Sequence, residues 1–240
     1  MISLKELETL SVKNQVAILH VAREYLQNLF LSFFYSESGA EMFMFKGGTC
    51  LKIVYLSPRY SEDLDFTGQD TTFKTFENLL QKVLLQFEKT GISTGIEECK
   101  RTTGGFLAVF KSELHEIKVR VSLQVSMRRG GNHITPDVVL INNDFIPAYN
   151  AVVLPLDVLV KEKSAALLQR AKPRDFYDLY FMLRHPVMRK AFSSRERIKL
   201  LGALDCFSGV DLQRDLKPFL PKSQRQIIKN LPKAIKRELC

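Results

Sequence analysis

Residues 45–66 read F-K-G-G-T-C-L-K-I-V-Y-L-S-P-R-Y-S-E-D-L-D-F, and the two ends of this stretch set the expectation for the whole chain. Gly47 and Gly48 lack a Cβ, so a backbone can approach a ligand closely there, and Thr49 places a hydroxyl where a helix should begin. Together they form a candidate phosphate seat. Fourteen residues after Thr49, Asp63 and Asp65 alternate with Leu64 and Phe66. On a strand both carboxylates then project from one face while the apolar pair packs into the other. Two such carboxylates repel unless a cation lies between them, and Mg²⁺, with Mn²⁺ as a substitute, suits their oxygen donors. A glycine seat beside a metal-binding Asp-x-Asp is equipment for phosphoryl or nucleotidyl transfer. Each half alone also reads as ordinary structure, a Gly-Gly turn or an edge strand with two solvated acids. Their coincidence within nineteen residues favours a site.

Met42 to Phe45 reads as a short buried strand delivering the chain to Gly47, and Thr49 to about Tyr55 reads as a helix with Lys52 outward. Lys46 and Lys52 are candidate aids to an anion there. Upstream, Ser3 and Glu6 form an S-x-x-E capping box. The helix it opens continues, with a break allowed, through Ile18, Ala22, Leu26, Leu29 and Phe33, until Ser36-Glu37-Ser38-Gly39 ends the pattern. Downstream, Phe73, Phe76, Leu80, Val83, Leu84 and Phe87 mark an amphipathic helix stopped by Gly91. Short strands are expected around 92–97 and 106–111.

From Lys118 to Arg128 the alternation is strict, with Val119, Val121, Leu123, Val125 and Met127 on one face and Lys118, Arg120, Ser122, Gln124, Ser126 and Arg128 on the other. This strand is expected beside the Asp-x-Asp strand, and its polar face carries no acid. Gly130-Gly131-Asn132 reads as a turn. Pro136, Pro147 and Pro155 punctuate the loop-and-strand region after it, and a boundary is placed there, giving a core at 1–154 and a helical part at 155–240.

Leu159 to Leu183, L-V-K-E-K-S-A-A-L-L-Q-R-A-K-P-R-D-F-Y-D-L-Y-F-M-L, reads as two helices joined near Lys172-Pro173. Lys163, Leu167 and Arg170 share one face of the first, and Asp175 and Asp178 share one face of the second. Beyond it, from Arg189 to Cys240, thirteen Lys and Arg stand against five Asp and Glu, nearly all of the chain's net charge of +9. Lys222, Arg225, Lys229, Lys233 and Lys236 recur at spacings of three or four, interrupted by Pro232. Such a row is either a solvated face or a seat for a polyanion, and its position after a nucleotide motif favours an RNA backbone.

Composition bounds the class. With 240 residues, 45% hydrophobic and 25% charged, the chain is an ordinary globular one. Cys50, Cys99, Cys206 and Cys240 show neither zinc spacing nor a disulfide framework. The opening M-I-S-L-K-E-L-E lacks the apolar core of a signal peptide, and no run is long enough for a membrane span, so a cytoplasmic protein without a membrane partner is expected.

Gly47-Gly48-Thr49, Ser61-Glu62-Asp63-Leu64-Asp65-Phe66 and the Leu159–Leu183 run resemble the AbiEii/AbiGii (MenT-like) nucleotidyltransferase toxins of type IV toxin–antitoxin systems, members of the polymerase β superfamily. The second run matches a Lys, then Ala-Leu, an Arg, Arg-Asp and Tyr-Asp-Leu. The resemblance implies an α/β (α+β) fold, a mixed sheet flanked by helices with a helical C-terminal half. It also implies Mg²⁺-dependent transfer of a nucleoside monophosphate from an NTP to RNA, the tRNA 3′ end above all, which blocks translation, and a separately encoded antitoxin. Carried over by residue, Asp63 and Asp65 hold metal, Lys163 binds triphosphate and Asp178 is the downstream catalytic acid. Gly47, Gly48, Thr49, Ser61, Arg170, Arg174 and Asp175 surround the nucleotide, the last two equally readable as an ion pair. Gln124 stands where a third carboxylate is common in such enzymes, and an amide is a poor base. Two other readings stand beside this one: transfer to a protein or small-molecule hydroxyl, and a catalytically reduced RNA-binding or scaffolding protein.

Overall fold

The computed structural model describes residues 1–128, 133–204 and 212–240; the expected turn at Gly130-Gly131-Asn132 and Cys206 lie outside them. The chain divides into two compact units, one made of Met1–Leu56 and Tyr60–Leu154, the other of Ser57–Arg59 and Pro155–Cys240. Ser57–Arg59 thus belongs with the residues that follow Leu154.

The first unit is a seven-stranded mixed sheet with helices. Its elements are α1 (Leu4–Asn14), α2 (Ile18–Tyr35), β1 (Phe43–Lys46), α3 (Gly47–Ile53), β2 (Asp63–Gln69), α4 (Phe73–Lys89), β3 (Thr94–Thr102), β4 (Gly105–Leu114), β5 (Ile117–Arg128), β6 (Asp137–Ile141) and β7 (Tyr149–Val153). Strand order is β3-β4-β5-β2-β1-β7-β6. β2 runs parallel to β5 and β1 parallel to β7, and the other neighbours are antiparallel. The capping box at Ser3 and Glu6 is formed. The long N-terminal helix is two helices, because Gln15 adopts the left-handed conformation (φ 57°) and its N–H closes α1 onto Ser11 and Val12.

Alternation along the strands gives the sheet two unlike faces. On one, phenylalanines from β1, β2 and β4 meet those of α2 and α4: ring centroids are 5.2 Å apart for Phe34 and Phe66, 5.2 Å for Phe43 and Phe76, and 5.7 Å for Phe30 and Phe110. Phe30, Phe34, Phe43, Phe66, Phe76 and Phe110 are all fully buried, and each contributes about 1.5–3 kcal/mol in area removed from water. The register places the polar residues on the other face, in transverse rows. Lys46 lies opposite Asp65, Asp65 opposite Gln124 and Gln124 opposite Leu107; in the next row Asp63 lies opposite Ser122.

The second unit is helical: α5 (Leu156–Arg170), α6 (Pro173–Arg184), α7 (Ser194–Leu204), α8 (Leu212–Leu216) and α9 (Leu231–Leu239), with a 3₁₀ stretch at Lys222–Asn230 before the last. α6 packs against α5 and α9, and α7 also packs on α9. Pro232 does not interrupt a helix as expected; it sits in the first turn of α9, where its missing N–H costs nothing. Among the described residues no helix is long and apolar enough to cross a membrane.

Candidate functional site

The strand-to-helix junction at Gly47 is built around Asp65. Gly47 has φ +84°, and a Cβ placed on it would lie 1.9 Å from Asp65 Oδ2. Glycine is therefore required twice, for its left-handed backbone and for the space its absent side chain leaves to the carboxylate. Thr49 is fully buried, and its hydroxyl donates to the main-chain carbonyl of Asp63. The first turn of α3 is thus pinned to β2 at the residue that begins the Asp-x-Asp. Thr49 serves this junction from inside. With seven residues α3 has little macrodipole, so any anion drawn to this junction would be met chiefly by the glycine turn.

Asp63 and Asp65 are both half-buried and share the polar face of β2. Lys46 Nζ donates to Ser126 Oγ at 3.0 Å, and Ser126 Oγ in turn donates to the Phe66 carbonyl at 3.3 Å. Lys46, Asp65, Gln124 and Ser126 line one cleft of about 430 Å³ together with the β3–β4 turn, Thr102-Thr103-Gly104-Gly105. That turn is absent from the expected site, although its Gly-Gly pair is a hairpin signal. Among the described residues no group of three or more His, Cys, Asp or Glu side chains forms a metal cage. The donors on this face are the two carboxylates of one strand, Asp63 and Asp65. That hard-oxygen set fits Mg²⁺, which retains waters and takes further ligands from substrate phosphates instead of an all-protein cage.

Three neighbours of the motif are tied to α2. Lys52 lies 3.8 Å from Glu24 and 4.3 Å from the Tyr60 ring centroid, which commits it to α2 and away from an aid to the anion. Burial raises the Glu24 carboxyl even so, with Lys52 opposing. The Ser61 carbonyl accepts from Gln27 Nε2 at 3.1 Å, and Glu62 pairs with the buried Arg23 at 2.9 Å.

The downstream motif forms its own cluster in the second unit. Asp178, 1% exposed, accepts from Arg59 Nε at 2.8 Å and Arg59 Nη2 at 2.9 Å, and from Lys163 Nζ at 2.8 Å. Burial works against its charge, but Arg59 and Lys163 together overcome that and hold the carboxyl at about 2. Arg59 is the residue that sequence reasoning missed: its partner lies 119 positions away, and nothing local in S-P-R-Y announces a buried guanidinium. A second pair joins Arg170 to the buried Asp175 through two hydrogen bonds of 2.8 and 2.7 Å, and the same carboxylate accepts from the Lys172 N–H at 3.3 Å. Asp175 thereby caps α6, so this pair is engaged in holding the α5–α6 junction. Arg174 is exposed. Each cluster lies wholly within its own unit.

No curated protein matches the chain. Its fold is similar to that of JHP933 from Helicobacter pylori, with a TM-score of 0.66 and 18% identity over 93% of this chain and 91% of that one. It is similar also to MenT4, a nucleotidyltransferase toxin of Mycobacterium tuberculosis H37Rv, with a TM-score of 0.66 and 15% identity over 100% of this chain and 89% of that one. The family model described as Nucleotidyl transferase AbiEii toxin, Type IV TA system, matches residues 30–237. A match over that much of its length means that the chain belongs to the AbiEii nucleotidyltransferase toxin family.

Proposed function

We propose that this protein transfers a nucleoside monophosphate from an NTP to an RNA hydroxyl, that of the tRNA 3′ end, and so blocks translation in the cytoplasm until a cognate antitoxin relieves it. The observation that carries the reading is the Asp63/Asp65 pair, whose Asp65 carboxylate is seated so closely on the Gly47 turn that a methyl group at position 47 would displace it. Asp63 and Asp65 would hold Mg²⁺. When bound, the cation supplies Lewis-acid chemistry, lowering the acceptor hydroxyl's pKa and neutralising charge on the phosphates. The glycine turn lets the phosphates approach the main chain, and Ser61 stands just upstream of the carboxylates.

Lys163 offers a positive charge to the triphosphate. Asp178 is better suited to orienting Lys163 than to acid chemistry, since both its oxygens are engaged and its carboxyl stays ionised far below neutrality. With Arg59 the cluster has two cations for one carboxylate, a net charge suited to phosphate. The RNA reading draws on the second unit's surface: Lys222, Lys229, Lys233, Lys236 and Arg237 are exposed, while Ile228, Leu231, Ile235 and Leu239 fill the opposite side. Arg225 is partly withdrawn, its Nε donating to the Leu220 carbonyl at 3.1 Å.

The test is incubation with each α-³²P-labelled NTP and total RNA, with and without Mg²⁺. Metal-dependent label in the tRNA band supports the proposal. Label only in protein or in small molecules would replace the acceptor, and intact RNA binding with no label anywhere would leave a binding protein.

A further inference from the structure

We infer that the cleft beside Asp65 is a nucleobase slot in which the Gln124 amide reads the edge of the base. This rests on the nucleotidyl-transfer reading and extends it to what selects the nucleotide. The transverse row through the site runs from anionic Asp65 to the neutral amide of Gln124 and then Leu107, while Lys46, opposite Asp65, reaches across to Ser126 Oγ on β5. The hydroxyls of Thr102 and Thr103 on the β3–β4 turn complete the uncharged end. A nucleotide has the same gradient, charged at the phosphates and flat, apolar and hydrogen-bonding at the base. The cleft's volume of about 430 Å³ falls within the range of small-molecule sites.

Gln124 is exposed, and among the described residues its amide has no hydrogen-bond partner. Its strand holds it next to Asp65 in the row. A primary amide presents a donor and an acceptor side by side, which is the complement of a base edge; a metal shell would be served better by a carboxylate at the same position. On this account Gln124 is a specificity-determining residue, and the missing third acid reflects a position used for selection.

The β3–β4 turn closes the uncharged end. Gly104 has φ +86° and open space around it, so the turn can lie flat against a planar ligand without its own side chain intervening. Thr103 is the exposed hydroxyl at its tip.

The experiment is equilibrium binding of ATP, CTP, GTP and UTP to the full chain, without RNA, for wild type, Gln124→Ala, Gln124→Glu and Thr103→Ala. A second arm measures transfer to short RNAs ending in each of the four nucleotides. Wild type should discriminate, and Gln124→Ala should reduce that discrimination by roughly 5- to 100-fold, the contribution of one bidentate amide–base pairing. Gln124→Glu, which accepts only, should shift the preference toward a base presenting an amino group. Mg²⁺ affinity should be unchanged in Gln124→Ala, whereas Gln124→Glu, which sets a third carboxylate opposite Asp65, should tighten it. Loss of NTP discrimination assigns the slot to the donor; loss confined to the RNA arm assigns it to the acceptor's terminal base. If Gln124→Ala and Gln124→Glu keep the wild-type preferences in both arms, the slot is refuted while transfer itself stands. If wild type neither binds nor transfers any NTP, the underlying function falls as well.

Discussion

Asp65 and Asp178 are the same residue type in two opposite settings. Asp178 is 1% exposed and saturated by Arg59 and Lys163, all three within the helical unit. Asp65 is half-buried beside a second carboxylate on its own strand, on an open sheet face against a glycine turn. A carboxylate closed in by cations holds a structure together. Two carboxylates placed together on an accessible face cost repulsion that a bound cation removes. On the proposed function, the contrast separates a carboxylate that holds and orients Lys163 from carboxylates that hold a metal, so substitution of Asp178 should act mainly on stability and substitution of Asp65 mainly on rate.

The largest effect on stability is expected at Asp178. Asp178→Asn leaves the buried Arg59 and the partly buried Lys163 without their carboxylate, and should cost about 3–5 kcal/mol of unfolding free energy, read from the urea midpoint. A loss under ~1 kcal/mol would show that the cluster is not structural. Gly47→Ala comes next. The left-handed backbone alone costs about 1–3 kcal/mol in a residue with a Cβ, and the added carbon must displace Asp65. Destabilisation should therefore accompany loss of activity there, and a Gly47→Ala protein of wild-type stability would contradict the seating of Asp65.

Acid titration distinguishes the two carboxylate settings more finely. A carboxyl whose pKa is lower folded than unfolded binds fewer protons in the native state, so its contribution is present above the unfolded value and fades as pH falls toward the folded one. For Asp178 that window runs from about 4, the ordinary Asp value, down to about 2. Urea midpoints should fall as pH drops through this window in wild type, and the slope should be shallower in Arg59→Met. An identical slope in the two proteins would mean that Arg59 does not hold the charge.

The same contrast divides what local sequence reveals from what it hides. The site strand is legible because alternation is a local property: Leu64 and Phe66 are buried and Asp63 and Asp65 are not. The neighbouring strand is legible for the same reason, and its register places Gln124 opposite Asp65. β3 runs beyond the expected strand because it is an edge strand whose Glu97, Glu98, Lys100 and Arg101 face solvent or the rim, so no buried side alternates to mark its length. The Arg59–Asp178 pair is a property of the fold, with no periodicity to reveal it. Pro232 misleads because the same residue that breaks a helix interior also begins a helix.

The smallest structural effect belongs to the exposed lysines. Replacing Lys229, Lys233 and Lys236 with Ala should change stability by less than about 0.5 kcal/mol while weakening RNA binding. The slope of log K against log salt should flatten by roughly 0.7 to 0.9 for each phosphate that is no longer neutralised. An unchanged slope would make this row a solvated face.

The central claim is that the Asp63/Asp65 face, and no structural carboxylate, is the chemical site. Its most direct test is Asp65→Asn, assayed for Mg²⁺-dependent incorporation of labelled NTP into RNA alongside its thermal midpoint. The account predicts a rate lowered by at least about 100-fold, the scale of removing a principal electrostatic interaction from a transition state, with the midpoint within a few degrees of wild type. Asp65→Asn protein that transfers nucleotide at the wild-type rate would contradict it.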